Sequence, residues 1–211
     1  TVDRGPLPPE VAAAFEAALL RLERDLGLPV EPVDPGEIHR GGDPELDWLT
    51  LTGPELVAWL GRERAERELH RVHPATRAFL EAGLRVGIDG YLAARDRRIA
   101  YARDLDVLLG EDAVLATPTL AAPGWLAEGP LPGSEAPGPP PDVYNCSSQN
   151  LAGHPAISLP AGRLPNGVPF GLQLTAPRWA DETLLDLAAA WERAHPWPRC
   201  AEGHEPFPVP A

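Results

Sequence analysis

The clearest hydrophobic pattern in the chain lies near its C-terminus. Ile157 and Leu159 alternate with Ala156 and Ser158, the two-residue period of a half-buried strand. Phe170, Leu172 and Leu174 repeat that period, with Gly171, Gln173 and Thr175 on the opposite face. Between the two runs, Pro165-Asn166-Gly167 carries turn chemistry, because Asn and Gly tolerate the positive φ of a tight reversal. The period then lengthens. A helix is predicted from about Ala180 to His195, with Asp181 capping its start and Pro196 stopping it. Leu184, Leu187, Ala188 and Trp191 make its apolar face.

The N-terminal half reads as mainly helical. Pro8-Pro9 opens a helix running to about Leu26, with Val11, Phe15, Leu19, Leu22 and Leu26 as its buried stripe. Gly27 ends it, and Leu28 to Val33 reads as a short strand interrupted by Pro29 and Pro32. Asp34 to Asp47 reads as loop. Helical patterns resume over Pro54 to Arg71, Pro74 to Val86 and Asp89 to Leu109, separated by His73-Pro74 and Gly87. Their predicted inward residues are Leu56, Trp59 and Leu60, then Phe79 and Leu80, then Leu92, Ile99, Leu105 and Leu108. Asp112 to Thr117 reads as a buried strand with a Pro118-Thr119 corner. Beyond it, Pro and Gly dominate up to Asp142, the composition of a long loop or a lid, with Trp125 as its anchor. The expected organisation is one domain over 1–211. It comprises a helical layer (1–111), a Pro/Gly-rich loop (121–143), a strand-strand-helix core (144–197) and a tail (198–211).

Asn150-Leu151-Ala152-Gly153-His154-Pro155-Ala156-Ile157-Ser158-Leu159-Pro160, followed by Gly167-Val168-Pro169-Phe170-Gly171-Leu172-Gln173-Leu174, resembles the C-terminal part of the amidase signature family. Glu182-Thr183-Leu184-Leu185 and His195-Pro196-Trp197 fit the same pattern, which is specific over Asp112 to Trp197 and diffuse before it. The resemblance implies an α/β fold with a mixed β-sheet and flanking helices, of which this chain is the C-terminal half. It also implies hydrolysis of a small-molecule, non-peptide amide at its carbon–nitrogen bond, through a seryl acyl-enzyme and without a metal or cofactor. Members of the family act through a Ser–cis-Ser–Lys triad on a Gly/Ser-rich segment in the other half of a chain roughly twice this size.

That triad cannot be assembled here. The 18 basic residues are all arginine, so the chain contains no lysine, and it carries no Gly/Ser-rich nucleophile segment. Ser147-Ser148 falls in the wrong part of the pattern and has no base beside it in sequence, and a serine hydroxyl needs such a base to become nucleophilic. No catalytic residue is therefore expected in this chain, which is expected to be inactive alone. Its expected role is to supply sheet strands and the outer wall of a substrate pocket. The expected partners are the missing N-terminal half or a complementary subunit, with a homodimer as a further option. A non-catalytic half-amidase, split or decayed, is the alternative.

By the resemblance, Tyr144 to Asn150 lies against the pocket, and each candidate there has two readings. Tyr144 stacks on or hydrogen-bonds a ligand, or is a core residue; Cys146 lines the pocket, or is a small buried hydrophobe; Asn150 holds the loop for the site, or fixes a turn. A rival arrangement makes Cys146 a thiol nucleophile with His154 as base and Asn150 as orienter, although thiol triads ordinarily draw on distant parts of a fold.

Composition narrows the remaining choices. A net charge of −13 argues against nucleic acid, because phosphate binding needs clustered cations. The arginines at 62, 64, 67 and 71 alternate with Glu63, Glu66 and Glu68 at helical spacing, a self-paired face. No run of 18 or more apolar residues spans a membrane, and no signal peptide is visible, so a cytoplasmic chain is expected. The six histidines show no metal-ligand spacing. Many prolines, no Met and no Lys point to a high-GC or thermophilic source, with Thr1 near the midpoint of a longer protein.

Overall fold

The computed structural model describes residues 7–34, 43–127 and 145–198, together with Ile38, Cys200 and Gly203. Tyr144, most of the predicted Pro/Gly loop and most of the tail lie outside the described residues. The fold is α/β, as the sequence implies. It consists of helices around a small sheet in which every pairing among the described residues is antiparallel.

Strand β1 (Leu115–Pro118), β2 (Ala156–Arg163) and β3 (Pro169–Thr175) form the sheet in the order β1-β3-β2. The β2–β3 hairpin closes as predicted: the Gly167 N–H donates to Leu164 O (2.8 Å), and Asn166 Oδ1 accepts from the Val168 N–H (3.1 Å). Alternation then assigns the two faces of the sheet. Leu159, Phe170, Leu172 and Leu174 point to one side, where α1 (Pro9–Leu26) and α7 (Asp181–Ala194) cover them with Val11, Ala18, Leu22, Leu184 and Trp191. Each such buried aliphatic side chain contributes about 1.5–3 kcal/mol of transfer free energy. The Trp191 indole also donates to Pro160 O (2.9 Å), fixing α7 against β2.

A second core holds the remaining helices. It joins α2 (Pro44–Leu60), α5 (Ile88–Leu109) and the short α6 (Ser147–Ala152) through Leu51, Ala94, Tyr101, Leu105, Leu109 and Leu151. Asp47, buried on α2, takes a forked ion pair from Arg97 of α5 (2.6–3.0 Å), and Arg98 donates to Leu151 O (2.7 Å). Val57, Ala65 and Leu80 form a third cluster with α3 (Arg62–Glu68) and α4 (Pro74–Arg85). The arginine-rich α3 face pairs with its own acids, Arg62 with Glu66 (3.3 Å) and Arg64 with Glu68 (3.6 Å), as expected. No described helix is long and apolar enough to cross a membrane.

Several expectations are corrected. Residues 28–33 make no strand, because Pro29 and Pro32 have no N–H for a ladder; Leu28 and Val30 simply pack on the first core. The predicted loop up to Asp47 gives way to helix at Pro44, where the Asp43 carboxylate accepts from the N–H groups of Glu45 (3.0 Å) and Leu46 (3.3 Å). Trp59, Leu92 and Ile99, predicted to be buried, face solvent. Ala180 rather than Asp181 occupies the cap position of α7, and no side chain caps it. The predicted strand 112–117 starts later, at Leu115, after a turn.

Candidate functional site

The face of the sheet turned away from α1 and α7 carries the polar residues. The period-2 register that buries Phe170, Leu172 and Leu174 puts Gly171, Gln173 and Thr175 on this side, beside Thr117 of β1 and Ser158 of β2. Gln173 is buried and serves as the hub. Its Nε2 donates to Asn145 O (2.7 Å) and reaches Thr117 Oγ1 (3.4 Å), while its Oε1 accepts from the Cys146 thiol (3.4 Å). Asn145 in turn donates from its side-chain amide to Pro118 O, and from its backbone N–H to Thr119 O (3.1 Å). The segment entering α6 is thus stitched to the end of β1 by side chains from three separate parts of the sequence.

One residue further along, Thr119 extends the β1–β3 ladder by donating to Gly171 O (2.9 Å), and its hydroxyl meets that of Ser158 (2.6 Å). Gly171 lies directly beneath this pair. A Cβ there would fall 2.8 Å from Thr119 Oγ1 and 3.0 Å from Ser158 Oγ, so the bridge between the two hydroxyls needs a glycine at 171. The pair borders an open cavity of about 320 Å³ whose other walls include Ala122, Leu164, Val168 and Phe170. Asn166 at the hairpin tip donates to Pro123 O (2.8 Å) and holds the segment after β1 over this cavity. The arrangement offers an apolar slot with two hydroxyls at its edge. It has shape and hydrogen-bonding capacity, but no base stands beside either hydroxyl in the contacts described.

Of the sequence-predicted site residues, Cys146 joins this cluster through Gln173. Asn150 lies exposed on α6, where its backbone N–H donates to Cys146 O (3.2 Å), and Tyr144 lies outside the described residues. The rival thiol arrangement does not form. His154 places Nε2 on Asp106 of α5 (2.9 Å), an acid that also accepts from Arg178 (3.0 Å), and His154 Nδ1 is buried without a partner among the described residues. Burial, and then repulsion from Arg178, hold the His154 pKa below its ordinary value, while Asp106 opposes them. Ser147 is buried and donates to Glu45 of α2, which fixes α6 to the helices. Neither cysteine forms a disulfide, and no group of three metal-ligating side chains occurs among the described residues.

The sequence pattern does not single out Gln173, Thr119 and Ser158. A glutamine placed between leucines in a buried strand is the available signal, since a polar side chain there must find partners.

The amidase family profile matches residues 2–185, most of the chain. This chain belongs to the amidase signature family. Among its curated relatives, this amidase-family chain is 35% identical over 104 residues to a component of the glutamyl-tRNA(Gln) amidotransferase of Haloarcula marismortui, covering 47% of this chain and 23% of that protein. It is 29% identical over 127 residues to the putative amidase AmiD of Mycobacterium tuberculosis, covering 57% of this chain and 26% of that one. In structure it resembles a bacterial aryl acylamidase of the amidase signature family, with a TM-score of 0.75 at 23% identity, over 93% of this chain and 43% of that one. The chain therefore matches less than half the length of each of these relatives.

Proposed function

We propose that this chain is part of an amidase that hydrolyses a non-peptide carbon–nitrogen amide bond through a seryl acyl-enzyme. In this reading it supplies sheet strands and the outer wall of the substrate pocket. The observation that carries the reading is the family match over residues 2–185 in a chain without a single lysine. The fold and the family's C-terminal motifs are present, while the side chain that the family uses as base is missing. The cavity beside Thr119 and Ser158 supports the pocket-wall role, because its apolar lining and paired hydroxyls suit an uncharged organic group. Cys146, held by Gln173 beside Thr119, borders the same region; Tyr144 and Asn150 remain candidates for contact with the substrate.

The nucleophile, the lysine and the oxyanion donors belong to the rest of the amidase in this reading, on a preceding segment or a complementary subunit. The purified 211-residue chain is expected to show no turnover of a chromogenic anilide above the protein-free rate. Measurable hydrolysis by the pure chain would refute this division of labour. The same absence of lysine favours a second reading, a non-catalytic half-amidase acting as a binding partner. Intact mass of the protein from its native source separates the two: about 22.6 kDa favours the binding partner, and a mass about twice that favours the single-chain amidase.

A further inference from the structure

A second cavity, of about 530 Å³, lies at the far end of β2, between α1 and the segment after α7. The β2–β3 register breaks between Pro160 and Arg163, and Gly162, at φ +128°, leaves open space where a side chain would stand. Irregularities of this kind re-aim neighbouring side chains. Two guanidinium groups border the opening. Arg21 of α1 is tethered to Ala161 O (3.1 Å), and Arg163 to Gly167 O (2.9 Å). Neither has a carboxylate hydrogen-bond partner among the described residues. By contrast Arg24, Arg62, Arg64, Arg85, Arg95, Arg97 and Arg178 all pair with acids.

Asp25, which adjoins the cavity-lining His195, is already engaged. Asp25 takes Arg24 (2.7 Å), lies 3.1 Å from His195 Nε2, and is within electrostatic reach of Arg21. The His195 ring packs against Trp191 with centres 4.6 Å apart and planes tilted by 54°, and with Trp197 it gives the cavity aromatic walls. In a chain carrying a net charge of −13, two arginines tethered to carbonyls around one opening form a local positive site. Guanidinium donors in a fork match an oxyanion in charge and geometry.

We propose that this cavity is a second small-molecule site that binds a flat carboxylate, with Arg21 and Arg163 holding the anion and His195 and Trp197 flanking its ring. The proposal is independent of the amidase reading, since none of these residues touches the Thr119–Ser158 cavity. Benzoate titrated into the full chain, followed by calorimetry and by the thermal midpoint, is the test. Benzoate is expected to bind saturably, and its neutral isostere benzamide to bind at least about tenfold more weakly. Arg163 is exposed, so Arg163→Gln keeps the fold, and it is expected to weaken benzoate roughly tenfold. Arg21→Gln, checked for folding by circular dichroism, should do the same. Inorganic phosphate serves as an oxyanion without a ring. Phosphate binding as tightly as benzoate overturns the assignment, as do equal affinities for benzoate and benzamide, or an unchanged affinity in Arg163→Gln.

Discussion

His154 shows how one side chain acquires a property that its sequence neighbourhood does not display. In the sequence, use as a catalytic base for Cys146 is one reading of it. In the fold its side chain is shut away from solvent, with Nε2 on Asp106 and Arg178 close by. Burial disfavours the imidazolium, and the neighbouring guanidinium adds to the effect, so the folded pKa falls below the ordinary 6.5. The unfolded chain then takes up this proton before the native state does. Stability from this source is complete above the unfolded pKa and declines as pH falls through 6.5 toward the folded value. Urea midpoints at about pH 7.5 and about pH 5.5 should differ less in His154→Gln than in the wild type, since glutamine can still donate to Asp106 without titrating. Equal differences in the two proteins would remove this account. Gln173 carries the same lesson for the candidate site. Its position in a strand is legible in the sequence, but its partners Thr117, Asn145 and Cys146 come from segments that only folding brings together.

At the scale of elements, what is legible follows periodicity. The β2–β3 hairpin, α1 and α7 have one apolar face each, and their predicted inward residues are buried or pack on the first core. Helix α5 is different, because it is apolar on two sides: Ala94, Tyr101, Leu105 and Leu109 are buried while Ile88, Leu92, Ile99 and Val107 are exposed. With two stripes of similar character, the sequence pattern alone cannot choose the face. The start of α2 is obscured for a related reason. Asp43-Pro44 is a cap followed by a first-turn proline, but Gly53-Pro54 downstream carries a competing start signal. Beside their shared apolar core, α2 and α5 are tied by the Asp47–Arg97 fork. Asp47 is almost fully buried, whereas the Arg97 side chain is 39% exposed. Replacing Arg97 with Met should leave the Asp47 carboxylate buried and unpaired. The expected cost is roughly 2–3 kcal/mol by urea denaturation, below that of a fully buried pair because Arg97 still reaches water. A loss under about 0.5 kcal/mol would show that the fork does not join the two helices energetically.

Across the whole molecule, the two larger cores meet at few points. His154 and Arg178, from the segments flanking the hairpin strands, converge on Asp106 of α5. Leu115, at the start of β1, packs against the helical core, while Ala116 packs against the other. The strand order β1-β3-β2 adds a consequence in time. β2 and β3 are joined by a turn of a few residues, whereas β1 must reach β3 across about fifty residues of chain. Closing the short loop costs much less chain entropy, so the hairpin can zip before its other neighbour arrives, and β1 acts as the late bolt that locks the helices to the sheet. Pulse-labelled hydrogen exchange during refolding should protect the amides of Leu159 and Leu172 before that of Leu115. Simultaneous protection would mean that the two halves of the molecule assemble as one cooperative unit.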